Sequence, residues 1–213
     1  MMRFATLTTS YEDRFLEITQ DQSMTFDRDP SHLRRLAMLL AMPEAGALEA
    51  LREVAGQEPW LSGPIAELES LPLERWQAEH TRLFVSGYPK TPCPPFESAY
   101  RQGNMGGTAM QDLQGLYRRA GLESGEVPPD YLGTQLEFAA YLLDFAPGEG
   151  DADCPAGALT TELWDEHLCR WLPRFARDLH TQAELMLYRG LGERLACLCP
   201  VDDDQTSEHP DDV

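Results

Sequence analysis

The chain has 213 residues, of which 42% are hydrophobic and 25% are charged, the ordinary profile of a globular protein. Its 17 basic residues against 36 acidic ones give a formal net charge of -19. Such a chain repels phosphate backbones and anionic bilayers, so we expect no nucleic-acid partner and instead expect cations or basic peptides.

Neither a membrane span nor a secretory signal is visible in the sequence. No apolar run reaches the ~18 residues that a spanning helix needs. Residues 1–20 carry five charged side chains and no continuous apolar core. The five cysteines are odd in number and scattered, which favours reduced thiols in a cytosol over a disulfide framework. We therefore expect a cytoplasmic protein without stable membrane insertion.

The balance of branched side chains indicates the fold class. The chain has 30 Leu and 21 Ala but only 5 Val and 2 Ile. Sheets favour β-branched residues, which pack well on a pleated surface, whereas helices favour Leu and Ala, which lose little rotamer freedom. So few Val and Ile cannot furnish the core of a multi-stranded sheet. We predict an all-α fold, a single globular helical bundle.

Apolar residues recur at spacings of three and four along most of the chain, which predicts a series of helices. Proline marks helix starts at Pro30 and Pro128, and glycine marks helix ends at Gly56 and Gly121. The predicted helical runs are Pro30 to Val54 with an interruption at Pro43, Leu73 to Phe84, Met110 to Ala120, Leu132 to Leu143, and Leu163 to Leu195. A linker rich in Gly, Asp and Pro is predicted over residues 147–157.

The last thirteen residues differ from the rest in composition. They contain six acidic residues, no Lys or Arg, and Val as the only aliphatic type. Such a segment cannot bury enough apolar area to offset the entropy lost on ordering. We predict an all-helical domain over residues 1–200, closed by Pro200, and an acidic disordered tail over residues 201–213.

The segment from Ser86 to Thr108 is a long loop with four prolines and four glycines. It contains the run Pro94-Pro95-Phe96-Glu97-Ser98-Ala99-Tyr100. Loops of this length are usually functional or disordered, and two aromatic residues beside a carboxylate argue against disorder. Two interpretations stay open: a binding loop, or a loop that Phe96 and Tyr100 pack on the bundle while Glu97 accepts from backbone donors.

A second candidate lies at Pro129-Asp130-Tyr131-Leu132 together with Glu137. Asp130 and Glu137 are seven residues apart, which places them on one helix face about 10 Å apart. Each carboxylate could take a guanidinium group. The alternative is a capping Asp130 and a solvated Glu137. Under the first interpretation we expect this face to lie across a groove from the loop of Phe96, with Tyr131 at its edge.

Catalytic motifs are missing from the sequence. No histidine has a Glu three positions before it, as di-iron bundles require, and Cys197-Leu198-Cys199 has no second cysteine pair for zinc. No Lys follows the Gly-rich residues 103–107, as a P-loop would need, and there is no G-x-S-x-G. His80 and His167 lie near apolar faces and are predicted core histidines. We expect no enzyme activity, metal or cofactor.

Three blocks of the sequence form a joint pattern in a fixed order. The first, Glu79 to Phe84 followed by Pro95 to Tyr100, is similar to "Y-x-x-L-F … P-x-E-S-x-Y". The second, Tyr117 to Gly121 followed by Pro129 to Phe138, is similar to "Y-x-x-x-G … P-D-H-L-x-x-x-L-E-F". The third, His167 to Phe175, is similar to "H-L-x-x-W-x-P-x-F". Together they resemble the TorD/DmsD/NarJ superfamily, chaperones dedicated to molybdoenzyme maturation.

This resemblance implies an all-α domain of about ten helices that binds the N-terminal segment of a molybdopterin oxidoreductase catalytic subunit. In such families the segment is often a twin-arginine signal or a vestige of one. Binding holds the apoenzyme in the cytoplasm until the cofactor is inserted. The chain departs from the family at Tyr131, where the family commonly has His. Tyrosine keeps an aromatic face and one hydrogen-bonding group but cannot become cationic at neutral pH.

The candidate peptide-binding residues combine apolar anchors with carboxylates. In a peptide groove, apolar anchors give most of the affinity, whereas carboxylates facing arginines set register and association rate. The candidates are Trp76, Leu83, Phe84, Pro95, Phe96, Glu97, Ser98, Tyr100, Pro129, Asp130, Tyr131 and Glu137.

Two other functions stay open: a generic helical adaptor, and a nucleotide-binding hydrolase. The second has little support, since only Lys90 and scattered arginines could neutralise phosphates. The client could be a dimethyl sulfoxide-, nitrate- or chlorate-type enzyme. The chaperone itself could be a monomer or a domain-swapped homodimer with residues 86–108 as the hinge.

Overall fold

A computed structural model describes residues 28–103, 107–123, 125, 127–145 and 155–199. The helices are α1 Pro30–Met38, α2 Ala47–Val54, α3 Ser62–Glu69, α4 Leu73–His80, α5 Glu97–Arg101, α6 Thr108–Arg119, α7 Leu132–Phe145, α8 Pro155–Glu162, α9 Cys169–Gln182 and α10 Met186–Ala196. A 3₁₀ turn, Pro59–Leu61, precedes α3, and π-helical turns follow α4 (Thr81–Val85) and α8 (Leu163–Leu168). The predicted all-α fold is confirmed. Within these ranges, no helix is long and apolar enough to span a bilayer.

The helices that the sequence did not predict are short or begin at a proline. Neither α3 nor α5 was predicted, and α5 lies inside the segment expected to be a loop. Helix α8 begins at Pro155, two residues before the predicted end of the linker. The predicted tail over residues 201–213 lies outside the described residues, as do residues 1–27 of the predicted domain.

Helix α1 begins at an aspartate-proline pair. The Asp29 side chain accepts hydrogen bonds from the backbone N–H groups of Ser31 and His32 at 2.9 and 3.1 Å. Pro30 occupies the first helical position, where its missing N–H removes no intrahelical bond. Local chemistry therefore fixes where α1 starts.

Two long helix pairs form the body of the molecule: α9 packs along α10, and α1 packs along α7. The apolar faces of α9 and α10 are fully buried, and Trp171, Phe175 and Tyr188 are among the largest side chains there. Burial of an aromatic side chain typically removes about 150–250 Å² from water, which makes aromatic packing a dominant contribution to this core.

The buried carboxylate of Glu58 ties α1 to the 3₁₀ turn. It accepts from Arg35 Nε at 2.7 Å and from Trp60 Nε1 at 2.9 Å, and it contacts His32 Nδ1 at 2.7 Å. Burial opposes the charge of this carboxylate, but the hydrogen bonds from Arg35, His32 and Trp60 outweigh burial and lower its pKa.

Cys169 and Cys199 form a disulfide with a Cα–Cα distance of 5.3 Å. The expectation of reduced thiols is therefore wrong for this pair. The pairing depends on the tertiary structure. The packing of α10 against α9 brings Cys199, three residues beyond the end of α10, next to Cys169, the first residue of α9. Cys93 and Cys197 are free thiols. Burial raises the pKa of both thiols, that of Cys93 to about 12, so neither is an activated nucleophile.

Helices α9 and α10 approach closely at Gly192. A Cβ atom added there would lie 2.7 Å from the Ala176 carbonyl oxygen and 2.9 Å from the His180 backbone nitrogen. Both are backbone atoms of α9 and cannot move aside without shifting the helix.

We predict that Gly192→Ala lowers the free energy of unfolding by about 1–3 kcal/mol, the usual cost of overpacking. Gly157→Ala in α8 is the matched control, because a Cβ there meets no atom within 4 Å. Urea denaturation of the two variants checks the difference. Equal stabilities would contradict the close approach of α9 and α10.

Candidate functional site

The segment containing Phe96 is joined directly to the start of α7. Phe96 and Tyr131 form an isolated antiparallel bridge. The Glu97 backbone N–H donates to the Asp130 carbonyl oxygen at 3.0 Å. The rings of Phe96 and Tyr131 lie 5.6 Å apart between centroids. Two blocks of the sequence pattern, more than thirty residues apart in the chain, therefore meet at one point.

Asp130 holds this junction with its side chain. The carboxylate is buried and accepts from Ser98 Oγ at 2.6 Å and from the Ser98 backbone N–H at 3.3 Å. Ser98 lies in the first turn of α5, so a carboxylate from another part of the chain caps this short helix. Asp130 therefore acts as a structural cap, as the alternative interpretation held. The helix that it caps is α5, however, and not the helix that follows Asp130 in the chain.

Glu97 lies at the centre of a buried charge cluster. Its carboxylate, 0% exposed, accepts from Arg101 and contacts His167 Nδ1 at 3.0 and 3.2 Å. Because a carboxylate only accepts, His167 carries its proton on Nδ1. Arg101 also donates to the Glu166 carbonyl oxygen at 2.9 Å. The cluster joins α5 to the π-helical turn of residues 163–168.

Tyr131, which replaces the family's usual histidine, bonds the end of α1. Its hydroxyl donates to the Leu40 carbonyl oxygen at 3.0 Å, and His80 Nε2 approaches the same oxygen at 3.0 Å. Burial raises the pKa of Tyr131 to about 12 and lowers the pKa of His80. Both groups are neutral at pH 7 and serve as hydrogen-bond donors to the chain that follows α1.

Trp76 lies between the core and a small apolar pocket. Its indole Nε1 donates to the Tyr188 hydroxyl at 2.9 Å. One side of Trp76 lines a pocket of about 140 Å³ with Leu48, Leu68 and neighbouring apolar residues. Glu44 lies among the lining residues of the same pocket.

A model of the family described as the nitrate reductase delta subunit matches residues 40–177. The chain belongs to this family. It is the family of NarJ/TorD-type chaperones, so the superfamily that the three sequence blocks resemble is confirmed.

A solved structure shares the fold of this delta-subunit family member. It is described as a proposed redox enzyme maturation protein from Archaeoglobus fulgidus, and it matches with a TM-score of 0.55 and 24% sequence identity. The match covers 78% of this chain and 91% of the archaeal chain. No protein with a curated description gives a significant match. The family role is maturation of redox enzymes rather than catalysis.

The twelve candidate residues of this delta-subunit family member divide by exposure. Eight are buried and belong to the scaffold: Trp76, Leu83, Phe84, Pro95, Glu97, Ser98, Pro129 and Asp130. Three are half-buried, namely Phe96, Tyr100 and Tyr131, and Glu137 is exposed. The expected groove between Asp130 and the Phe96 loop is replaced by direct contact. Asp130 and Glu137 therefore do not share an exposed face.

The sequence analysis missed a polar cleft beside Glu97. It has a volume of about 430 Å³ and lies between α6 and the π-helical turn. Its lining includes Arg101, Asp112, Gly115, Arg119, Glu166 and His167. The spacing of Asp112, Gly115 and Arg119 places them on one face of α6. No local signal connects that face to His167, because the fold alone brings the two elements together.

We predict that Asp130→Ala lowers the free energy of unfolding by about 1–3 kcal/mol, because two donors of Ser98 lose a buried acceptor. Combined with Ser98→Ala, the two effects should be non-additive by ~1 kcal/mol or more in a double-mutant cycle. Chemical denaturation of the four proteins measures this coupling.

Glu137→Gln is the control for Asp130, since this exposed carboxylate should change stability by no more than about 0.5 kcal/mol. Additive effects of Asp130→Ala and Ser98→Ala would show that the contact between them does not stabilise the fold.

We predict that His80 makes stability depend on pH. Because its folded-state pKa lies below the ordinary value of 6.5, the unfolded chain binds the proton more readily. Stability is therefore complete above pH 6.5 and falls as the pH drops toward the folded-state pKa. His80→Gln keeps an N–H donor for Leu40 and removes the titration. Urea unfolding at pH 7.5 and 5.5 should show a larger loss in the wild type; equal losses would contradict this.

Proposed function

We propose that this protein is a cytoplasmic chaperone that binds the N-terminal segment of the catalytic subunit of a nitrate reductase-type molybdoenzyme. Bound in this way, the apoenzyme is held until its molybdenum cofactor is inserted. The observation that carries the proposal is the apolar pocket lined by Trp76, in a member of the delta-subunit family whose net charge is -19. The N-terminal segment is of the twin-arginine type or a vestige of it.

The pocket at Trp76 supplies an anchor for an apolar side chain of the segment. Its walls include Leu48 of α2, Leu68 of α3 and Leu73, the first residue of α4. A pocket of about 140 Å³ matches one aliphatic side chain rather than an extended ligand. Glu44 lies beside the apolar walls, where it would face a basic residue of the segment.

The exposed parts of the junction supply further contacts. Phe96 and Tyr131 stand half-buried side by side, and Glu137 lies exposed one turn into α7. Their buried neighbours Glu97 and Asp130 support this surface without facing the peptide. Of the two predicted carboxylates, we therefore assign peptide contact to Glu137 and a positioning role to Asp130.

We predict that a synthetic peptide of the client N-terminus binds the purified protein and that affinity falls as salt rises from 50 to about 500 mM, because exposed charge pairs are screened. Isothermal titration calorimetry measures the affinity. A salt-independent affinity would contradict the electrostatic part of the proposal. Purification from the native cell separates this function from a generic adaptor, since a dedicated chaperone retains one large subunit and an adaptor retains several proteins.

We predict that Leu48→Trp, which fills the Trp76 pocket, weakens peptide binding at least about tenfold, or ~1.4 kcal/mol. Leu122→Trp is the matched control, because Leu122 is also a half-buried leucine but lies after α6, outside this pocket. Thermal melts of both variants establish that they are folded. Unchanged affinity in a folded Leu48→Trp protein would remove the pocket as the anchor site.

A further inference from the structure

The cleft between α6 and the π-helical turn of residues 163–168 is separate from the Trp76 pocket. One wall is a face of α6 with Asp112, Gly115 and Arg119, and the other includes Glu166 and His167. Its volume of about 430 Å³ is ample for a long side chain.

The charges lining the cleft favour a cation. Arg101 is paired with Glu97, and Arg119 is paired with Glu162 at 2.5 Å. Each guanidinium therefore already has a carboxylate partner. Asp112, in contrast, makes no ion pair with any residue in the described part of the chain. The unpaired charge in the cleft is negative, as is the net charge of the whole protein.

His167 adds an oriented hydrogen-bond acceptor. The side chain is more than nine-tenths buried and lines the cleft. Its Nδ1–H donates to Glu97, so in the neutral imidazole the opposite ring nitrogen, Nε2, is the hydrogen-bond acceptor. Nε2 has no hydrogen-bond partner among the described residues. A ligand that carries both positive charge and N–H donors satisfies Asp112 and this nitrogen together.

Gly115 keeps the cleft open at a cost to helix stability. Glycine inside a helix destabilises it relative to alanine. No atom lies within 4 Å of a Cβ built at Gly115, so packing against the protein does not demand glycine there. The space that this Cβ would enter belongs to the cleft.

We propose that this cleft binds the guanidinium group of an arginine side chain, with Asp112 pairing with its charge and His167 Nε2 accepting one of its N–H groups. Guanidinium is the cationic group of proteins with several N–H donors in a fixed planar arrangement. The inference rests on the proposed function in one respect, namely that the arginine belongs to the N-terminal segment of the client.

The first test uses N-acetyl-arginine amide as the probe and the full-length protein. Calorimetry or NMR titration of the histidine ring signals should detect binding of this probe but not of N-acetyl-citrulline amide, its neutral isostere. Asp112→Asn should weaken binding about tenfold or more, the usual effect of losing a charge-assisted bond. Glu53→Gln, an exposed carboxylate on α2, is the charge-matched control and should bind like wild type.

The second test compares two glycine variants that have the same expected effect on stability but differ in their expected effect on binding. Gly115→Ala and Gly157→Ala should both keep or raise the melting temperature, because each adds helix propensity in open space. Only Gly115→Ala should weaken binding of the arginine probe. A steric loss of binding in a more stable protein cannot arise from misfolding.

Equal binding of the arginine and citrulline probes, or unchanged binding in both Asp112→Asn and Gly115→Ala, would overturn the inference. Binding of inorganic phosphate at this cleft in preference to the arginine probe would overturn it as well. If the client peptide binds wild type and Asp112→Asn equally, the arginine site fails while the proposed chaperone function stands. If the arginine probe binds as expected but no client peptide does, the chaperone function fails instead.

Discussion

Two buried carboxylates, Glu97 and Asp130, hold the segment around Phe96 between α7 and the π-helical turn. Burying a charge without partners is very costly, so each carboxylate requires its full set of donors. Ser98 supplies those of Asp130, and Arg101 with His167 supplies those of Glu97. These bonds fix the segment as one unit, because removing a donor leaves a buried charge with fewer partners.

This constraint divides the acidic residues into two groups with different roles. Glu58, Glu97 and Asp130 are buried and hydrogen-bonded within the protein, so their charges hold helices and turns in position. Carboxylates at the surface, such as Asp112 and Glu137, keep their charge available for a partner. The net charge of -19 therefore does more than favour solubility. Part of this negative charge lies next to concave surfaces, where it would attract a basic segment.

The pocket at Trp76 and the cleft beside His167 suit different parts of one peptide. The pocket at Trp76 is apolar and small, whereas the cleft beside His167 is polar and about three times larger. Both use side chains that also stabilise the fold, since Trp76 bonds Tyr188 and His167 bonds Glu97. A rigid scaffold of this kind positions binding groups before the partner arrives, which reduces the entropy lost on association.

The sequence by itself determined the all-α fold, because an excess of Leu and Ala over Val and Ile and a spacing of three and four are local properties of a helix. It also indicated the family, because three blocks of the sequence resemble it, and the match to the family model confirms that resemblance. Only the tertiary structure decided the side-chain pairings. Glu97 meets His167, and Cys169 meets Cys199, across 70 and 30 residues of chain. Local periodicity shows which face of a helix is apolar, but not which distant helix covers it, and the cleft beside His167 exists only once that packing is complete.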